Sequence, residues 1–86
     1  MATGLRRSSA IATIRFWAGA RRAAGHAEAP TTAPDIAALR DELAARPELV
    51  AVMRVAAFLV DGQPAGDTTK IPADAFVDVL PPFAGG

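Results

Sequence analysis

Two short stretches of β-branched and aromatic residues, Ile11 to Trp17 and Phe76 to Leu80, lie far apart in this chain with one amphipathic helical stripe between them. That arrangement restricts the fold more than any other feature, because a two-residue period and a 3.6-residue period must share one small core. In the first stretch Ile14 and Phe16 fall on one face and Thr13, Arg15 and Trp17 on the other, which predicts the first strand. Ala18 to Ala24, rich in alanine and arginine and followed by Gly25-His26, reads as a loop or a short helical turn, and Ala27 to Thr31 as a weak antiparallel second strand. Thr32-Ala33-Pro34-Asp35 predicts a helix start, with threonine as the cap, proline in the first turn and an acidic residue near the positive end of the dipole. Ile36, Leu39 and Leu43 then form one apolar face, with Asp35, Asp41, Glu42 and Arg46 largely off it, and Pro47 ends the helix.

Glu48 to Arg54 reads as a short helical turn or a loop, and Val55 to Val60 as a buried strand or its approach. Asp61-Gly62 is a strong hairpin signal. Gln63 to Lys70 is a weak edge strand and loop, with Pro64 arguing against a central place, and Phe76 to Leu80 is the last strand. This order predicts an α+β fold of the ubiquitin-like β-grasp type: a mixed sheet with one main helix packed on one face. The first and last strands are then central, parallel neighbours, since the crossover through the helix is right-handed.

The expected organisation is a flexible basic extension at residues 1–9, one β-grasp domain at 10–82 and a flexible diglycine tail at 83–86. Arg6-Arg7 resembles a twin-arginine export signal, but Arg15 interrupts the apolar region that such a signal needs. A chain of 86 residues with 51% hydrophobic residues has material for one core and little for a walled catalytic pocket as well. The formal net charge of zero offers no general electrostatic attraction to nucleic acid or an anionic membrane. The longest apolar run, Val55 to Val60, is too short to span a bilayer. Cysteine is absent, which excludes disulfides and thiolate chemistry and is compatible with a reducing cytosol, so a soluble, cytoplasmic protein is expected.

No catalytic constellation emerges from the side chains. His26 is the one histidine, without a partner for metal binding or a triad, and reads as a solvated loop residue. Asp61 is explained by its hairpin, and Asp67, Asp74 and Asp78 read as structural or solvent-facing. Gly62 to Gly66 lacks the lysine and hydroxyl of a nucleotide-binding loop, so no cofactor is expected to bind. What remains is the end of the chain, Phe83-Ala84-Gly85-Gly86, directly after Pro81-Pro82. Two glycines let an extended backbone enter a channel too narrow for other residues, and the proline pair holds the exit extended. A carboxylate on Gly86 is a poor electrophile until it is adenylated, so ATP would be used in the site of a partner.

Val77-Asp-Val-Leu-Pro-Pro-Phe-Ala-Gly-Gly86 resembles the end of the sulfur-carrier (small) subunit of molybdopterin synthase, and Ile14-Arg-Phe-Trp-Ala-Gly-Ala-Arg-Arg-Ala-Ala-Gly25 resembles that family's opening. The likeness extends to the helix of Ile36, Leu39 and Leu43 and to Phe58-Leu-Val-Asp-Gly62. The chain departs from the family pattern at Ala73-Asp74, where Gly-Asp is usual, and at Val60-Asp61, where Val-Asn is common; both are turns. The resemblance implies a non-catalytic carrier subunit in molybdenum cofactor biosynthesis, with Gly86 adenylated by an E1-like enzyme and then thiocarboxylated. It implies three partners: that adenylyltransferase, a sulfur-transfer protein and a large catalytic subunit that makes the molybdopterin dithiolene. Phe83, Ala84 and Gly85 would thread into the partner. Strand parity adds candidate docking residues, Trp17, Phe76 and Leu80, with Pro81 and Phe83 beside them. A carrier for thiamine or cysteine pathways, a ubiquitin-like modifier conjugated through Gly86, and a non-reactive interaction module stay open as alternatives.

Overall fold

A computed structural model of the chain describes residues 11–81. Strand β1, Ala12–Phe16, buries Ala12, Ile14 and Phe16 and turns Thr13 and Arg15 to the other side. Ala18–Ala24 is a true helix, α1, where the sequence left a loop open; alanine loses no side-chain entropy on helix formation, and Ala20 and Ala24 are buried. It ends at Gly25, whose φ of 88° only glycine adopts freely and whose N–H donates to the Arg21 carbonyl at 3.0 Å. Strand β2, Glu28–Thr31, returns antiparallel to β1 and carries Pro30.

The main helix, α2, spans Ile36–Ala44 and buries Ile36, Leu39 and Leu43. Its cap differs from the sequence expectation. Asp35 is the capping residue, its Oδ1 accepting from the Ala38 N–H at 2.9 Å, and Pro34 lies before the cap, outside the first turn. Thr32 sits too far upstream to reach the orphan donors, which lie two and three residues past a cap. Arg46, preceding Pro47, is extended as proline demands, and Pro47–Leu49 forms a 3-10 turn that leads into helix α3, Val50–Val55. Leu49 and Met53, four residues apart, both enter the core. Helical spacing therefore carries on to Val55, which is 57% exposed at the end of α3 and is no part of the buried strand expected to begin there.

Strand β3 is Ala57–Val60 and β4 is Gln63–Ala65, joined by Asp61-Gly62 with φ of 47° and 83°. Two successive positive φ values define the turn that matches strand twist. Asp61 Oδ1 also accepts from the Phe76 N–H at 2.9 Å, tying the hairpin to β5, Phe76–Leu80. The sheet order is β2-β1-β5-β3-β4, with β5 parallel to β1 and antiparallel to β3. Both edge strands, β2 and β4, contain a proline, Pro30 and Pro64. One face of the sheet packs Ile14, Phe16, Phe58, Val77 and Val79 against Ile36, Leu39, Leu49 and Met53. Among the described residues, no helix lies on the other face.

Candidate functional site

The chain leaves the sheet from its central strand. Leu80 closes β5 and Pro81 follows, while Phe83, Ala84, Gly85 and Gly86 lie outside the described residues. Beside this exit the Trp17 N–H donates to the Val79 carbonyl at 3.2 Å, so the residue after β1 is fixed next to the root of the tail.

Parity and register assemble the uncovered face. Arg15 stands opposite Asp78, Thr13 opposite Phe76, and on the other flank Leu59 opposite Asp78 and Ala57 opposite Leu80. Because alternate residues share a face, Thr13, Arg15, Phe76, Asp78, Leu80 and Leu59 all point away from the helices. Trp17 is 47% exposed and Phe76 43%, while Leu80 and Pro81 are half-buried. The four sequence-derived docking candidates within the described residues thus share one region. Any role they have in docking rests on the functional reading below.

A carboxylate lies at the centre of this face. Asp78, which the sequence reading left as structural or solvent-facing, is only 6% exposed. Its Oδ1 accepts from Arg15 Nε at 2.8 Å and from the Trp17 indole Nε1 at 2.9 Å, and its Oδ2 from Arg15 Nη2 at 3.2 Å. Desolvation, the largest single influence, raises the Asp78 carboxyl, but the hydrogen bonds from Arg15 and Trp17 and the Arg15 charge together outweigh it and hold the group below its ordinary range. The Arg15 guanidinium in turn lies over the Phe76 ring, 4.5 Å from its centroid. Arg15 and Asp78 were not singled out as site residues from the sequence. The signal was available in principle: both fall on the outward parity of predicted parallel neighbours, but pairing them requires the register.

The remaining polar residues build structure. His26 is exposed, its Nδ1 2.9 Å from the Glu28 carbonyl oxygen and its ring edge-on to Phe16. Asp67 accepts from Arg40 at 3.0 and 3.2 Å, and Arg40 Nη1 donates to the Met53 carbonyl at 3.0 Å. Among the described residues no cluster of histidines and carboxylates could hold a metal ion, and no helix is long and apolar enough to cross a membrane.

A five-stranded mixed sheet with helices on one face, and a chain that departs from the central strand toward a diglycine, defines a ubiquitin-like β-grasp protein of the sulfur-carrier type. The sequence model of the ThiS family matches residues 14–86, and the chain belongs to that family. Solved structures agree on the fold. A chain in the complex of subunits 1 and 2 of molybdopterin-converting factor from Helicobacter pylori superposes with a TM-score of 0.71 at 21% identity, over 88% of this chain and 99% of that one. Molybdopterin converting factor subunit 1 from Pyrococcus furiosus, so described provisionally, gives 0.71 at 18% identity over 85% and 98%. SAMP1 from Haloferax volcanii gives 0.73 at 20% identity over 88% and 99%. No curated protein matches the chain significantly.

Proposed function

We propose that this protein is the sulfur-carrier subunit of a molybdopterin synthase, with Gly86 as its reactive residue. The observation that carries the carrier role is the extent of the family match, which runs through the domain and to Gly86 at the end of Phe83-Ala84-Gly85-Gly86, while the molybdopterin-converting factor neighbours favour that pathway. Support for a large-subunit partner comes from the Helicobacter pylori neighbour, which was solved as a complex of the two subunits of molybdopterin-converting factor.

The chemistry belongs to the backbone. In an E1-like enzyme a carboxylate oxygen of Gly86 attacks the α-phosphorus of ATP and pyrophosphate leaves. Sulfur at the sulfide level, delivered by a sulfur-transfer protein, then attacks the acyl carbon as the bond to the phosphate oxygen breaks and AMP leaves, so Gly86 ends as a thiocarboxylate. The large subunit receives the tail, sulfur passes to cyclic pyranopterin monophosphate, and hydrolysis returns Gly86 to a carboxylate. The small subunit contributes an electrophile, a narrow tether of Phe83, Ala84 and Gly85, and a docking face of Trp17, Phe76, Leu80 and Pro81. Five residues follow Pro81. Covalent geometry limits five residues to about 17 Å, which sets how deep the receiving site can lie below the docked face.

The test is the intact mass of the protein after incubation with ATP, a sulfide source and the cognate E1-like enzyme, beside a chain lacking Gly86. A gain equal to replacing one oxygen by sulfur, absent from the truncated chain, is expected. Adducts at the mass of other proteins would instead favour a modifier, and no change with an enzyme active on another carrier would defeat the proposal.

A further inference from the structure

An exposed aromatic side chain ordinarily samples several rotamers, and stopping that motion weakens association by a few-fold to about tenfold per side chain. Trp17 departs from this pattern. Its ring is half in solvent, but its Nε1–H is bonded at 2.9 Å to a carboxylate that is itself buried. The same carboxylate takes two hydrogen bonds from Arg15, and Arg15 covers Phe76. The backbone is held as well: the Trp17 N–H bonds Val79, the Trp17 carbonyl accepts from Ala20 and Arg21, and the next residue, Ala18, is kept at a φ of 48°. Non-glycine residues occupy that region only when their surroundings impose it. One buried group thus governs the positions of three surface side chains.

We infer that Asp78 is a positioning residue for docking, presetting Trp17, Arg15 and Phe76 in the arrangement that the large subunit receives. This rests on the function proposed above. The occupant follows from continuity with the tail: Trp17 is bonded to Val79, one residue before Leu80-Pro81, and Gly86 lies within about 17 Å of Pro81, so a protein that takes in the tail must cover this face. Charge adds to the description of that partner. Arg21, exposed and in no ion pair among the described residues, lines the cleft beside Trp17 together with Arg15, which is paired with Asp78, and with the carboxylate of Glu28. With Arg15 already paired and Glu28 offsetting further positive charge, the matching surface is an apolar concavity with one carboxylate placed to meet Arg21.

A double-mutant cycle on the full chain tests the inference, with the dissociation constant for the purified cognate large subunit as the readout. Trp17→Phe keeps an aromatic ring and removes the tether; Asp78→Ala removes its anchor. Trp17→Phe is expected to weaken binding a few-fold to about tenfold, Asp78→Ala by more because it also releases Arg15 and Phe76, and the double variant little more than Asp78→Ala alone, because the Trp17 tether is then already lost. Losses that multiply in the double variant would make Asp78 merely structural and overturn the inference. If Asp78→Ala fails to fold, Trp17→Phe decides alone: affinity equal to wild type overturns it, and a loss of a few-fold to about tenfold supports it. Wild-type protein that does not bind the large subunit would overturn the proposed function, and this partner with it, whereas normal wild-type binding with equal variants overturns the positioning role alone.

Discussion

Exchanging the neighbours Ala18 and Gly19 leaves composition and length unchanged, and the structure says it should stabilise the protein. Ala18 has a φ of 48°, in the left-handed region, while Gly19 lies outside that region in the first turn of α1. An L-residue with a Cβ gives up about 1–2 kcal/mol in the left-handed region, and glycine placed there returns roughly 0.5–1 kcal/mol less than that because its unfolded chain is freer. Alanine at a helical position is worth about 0.5–1 kcal/mol over glycine, and a Cβ added at Gly19 meets nothing within 4 Å. The two glycine terms cancel, leaving a gain of about 1–2 kcal/mol, which for a domain of this size raises the melting temperature by roughly 4–16 °C. Thermal unfolding by circular dichroism, with each single variant alongside, measures it. A swap that lowers the melting temperature would refute the reasoning, since it would mean that the Trp17-Ala18 step does not store the strain assigned to it.

Other outcomes follow from the same geometry. Leu39→Ala, at a fully buried position of α2, is expected to cost about 2–5 kcal/mol in denaturant unfolding. Asp78 is held below its ordinary value of 3.8, so its contribution to stability is present above the unfolded value and is lost as pH falls through the depressed one. Urea unfolding should accordingly show Asp78→Asn less stable than wild type near neutrality, with the gap closing in the acid range below about 4. Adding a single alanine after Gly86 should abolish sulfur loading by mass spectrometry while leaving the melting temperature unchanged.

The parts of the fold that depend on local chemistry were readable from the residues. Asp61-Gly62 requires two positive φ values that few other pairs supply, and Ile36, Leu39 and Leu43 can share one face only in a helix. Ala18 to Ala24 was ambiguous because alanine carries no periodic signal of its own. Val55 misled because an apolar run says nothing about where a helix stops, and the burial of Leu49 and Met53 carried α3 one turn further. The cap moved from Thr32 to Asp35 since both are competent and only the path of the chain selects one. At the site, parity put Trp17, Phe76 and Leu80 on one face. The linkage of Asp78 to Arg15 and Trp17 joins residues more than 60 positions apart, and strand register alone brings them together.

The two prolines at the margins of the sheet govern how such a molecule can associate. Pro30 in β2 and Pro64 in β4 each withdraw a backbone donor from a strand of four or three residues, which leaves either margin a poor template for further pairing. A chain whose sequence ends in the apolar stretch Phe83-Ala84-Gly85-Gly86 risks lending that peptide to the sheet of a sibling as an extra strand. Here the sibling presents little to receive it. On the function proposed above, the peptide then stays available to its partner enzyme, and crowding many copies together does not by itself consume their ends.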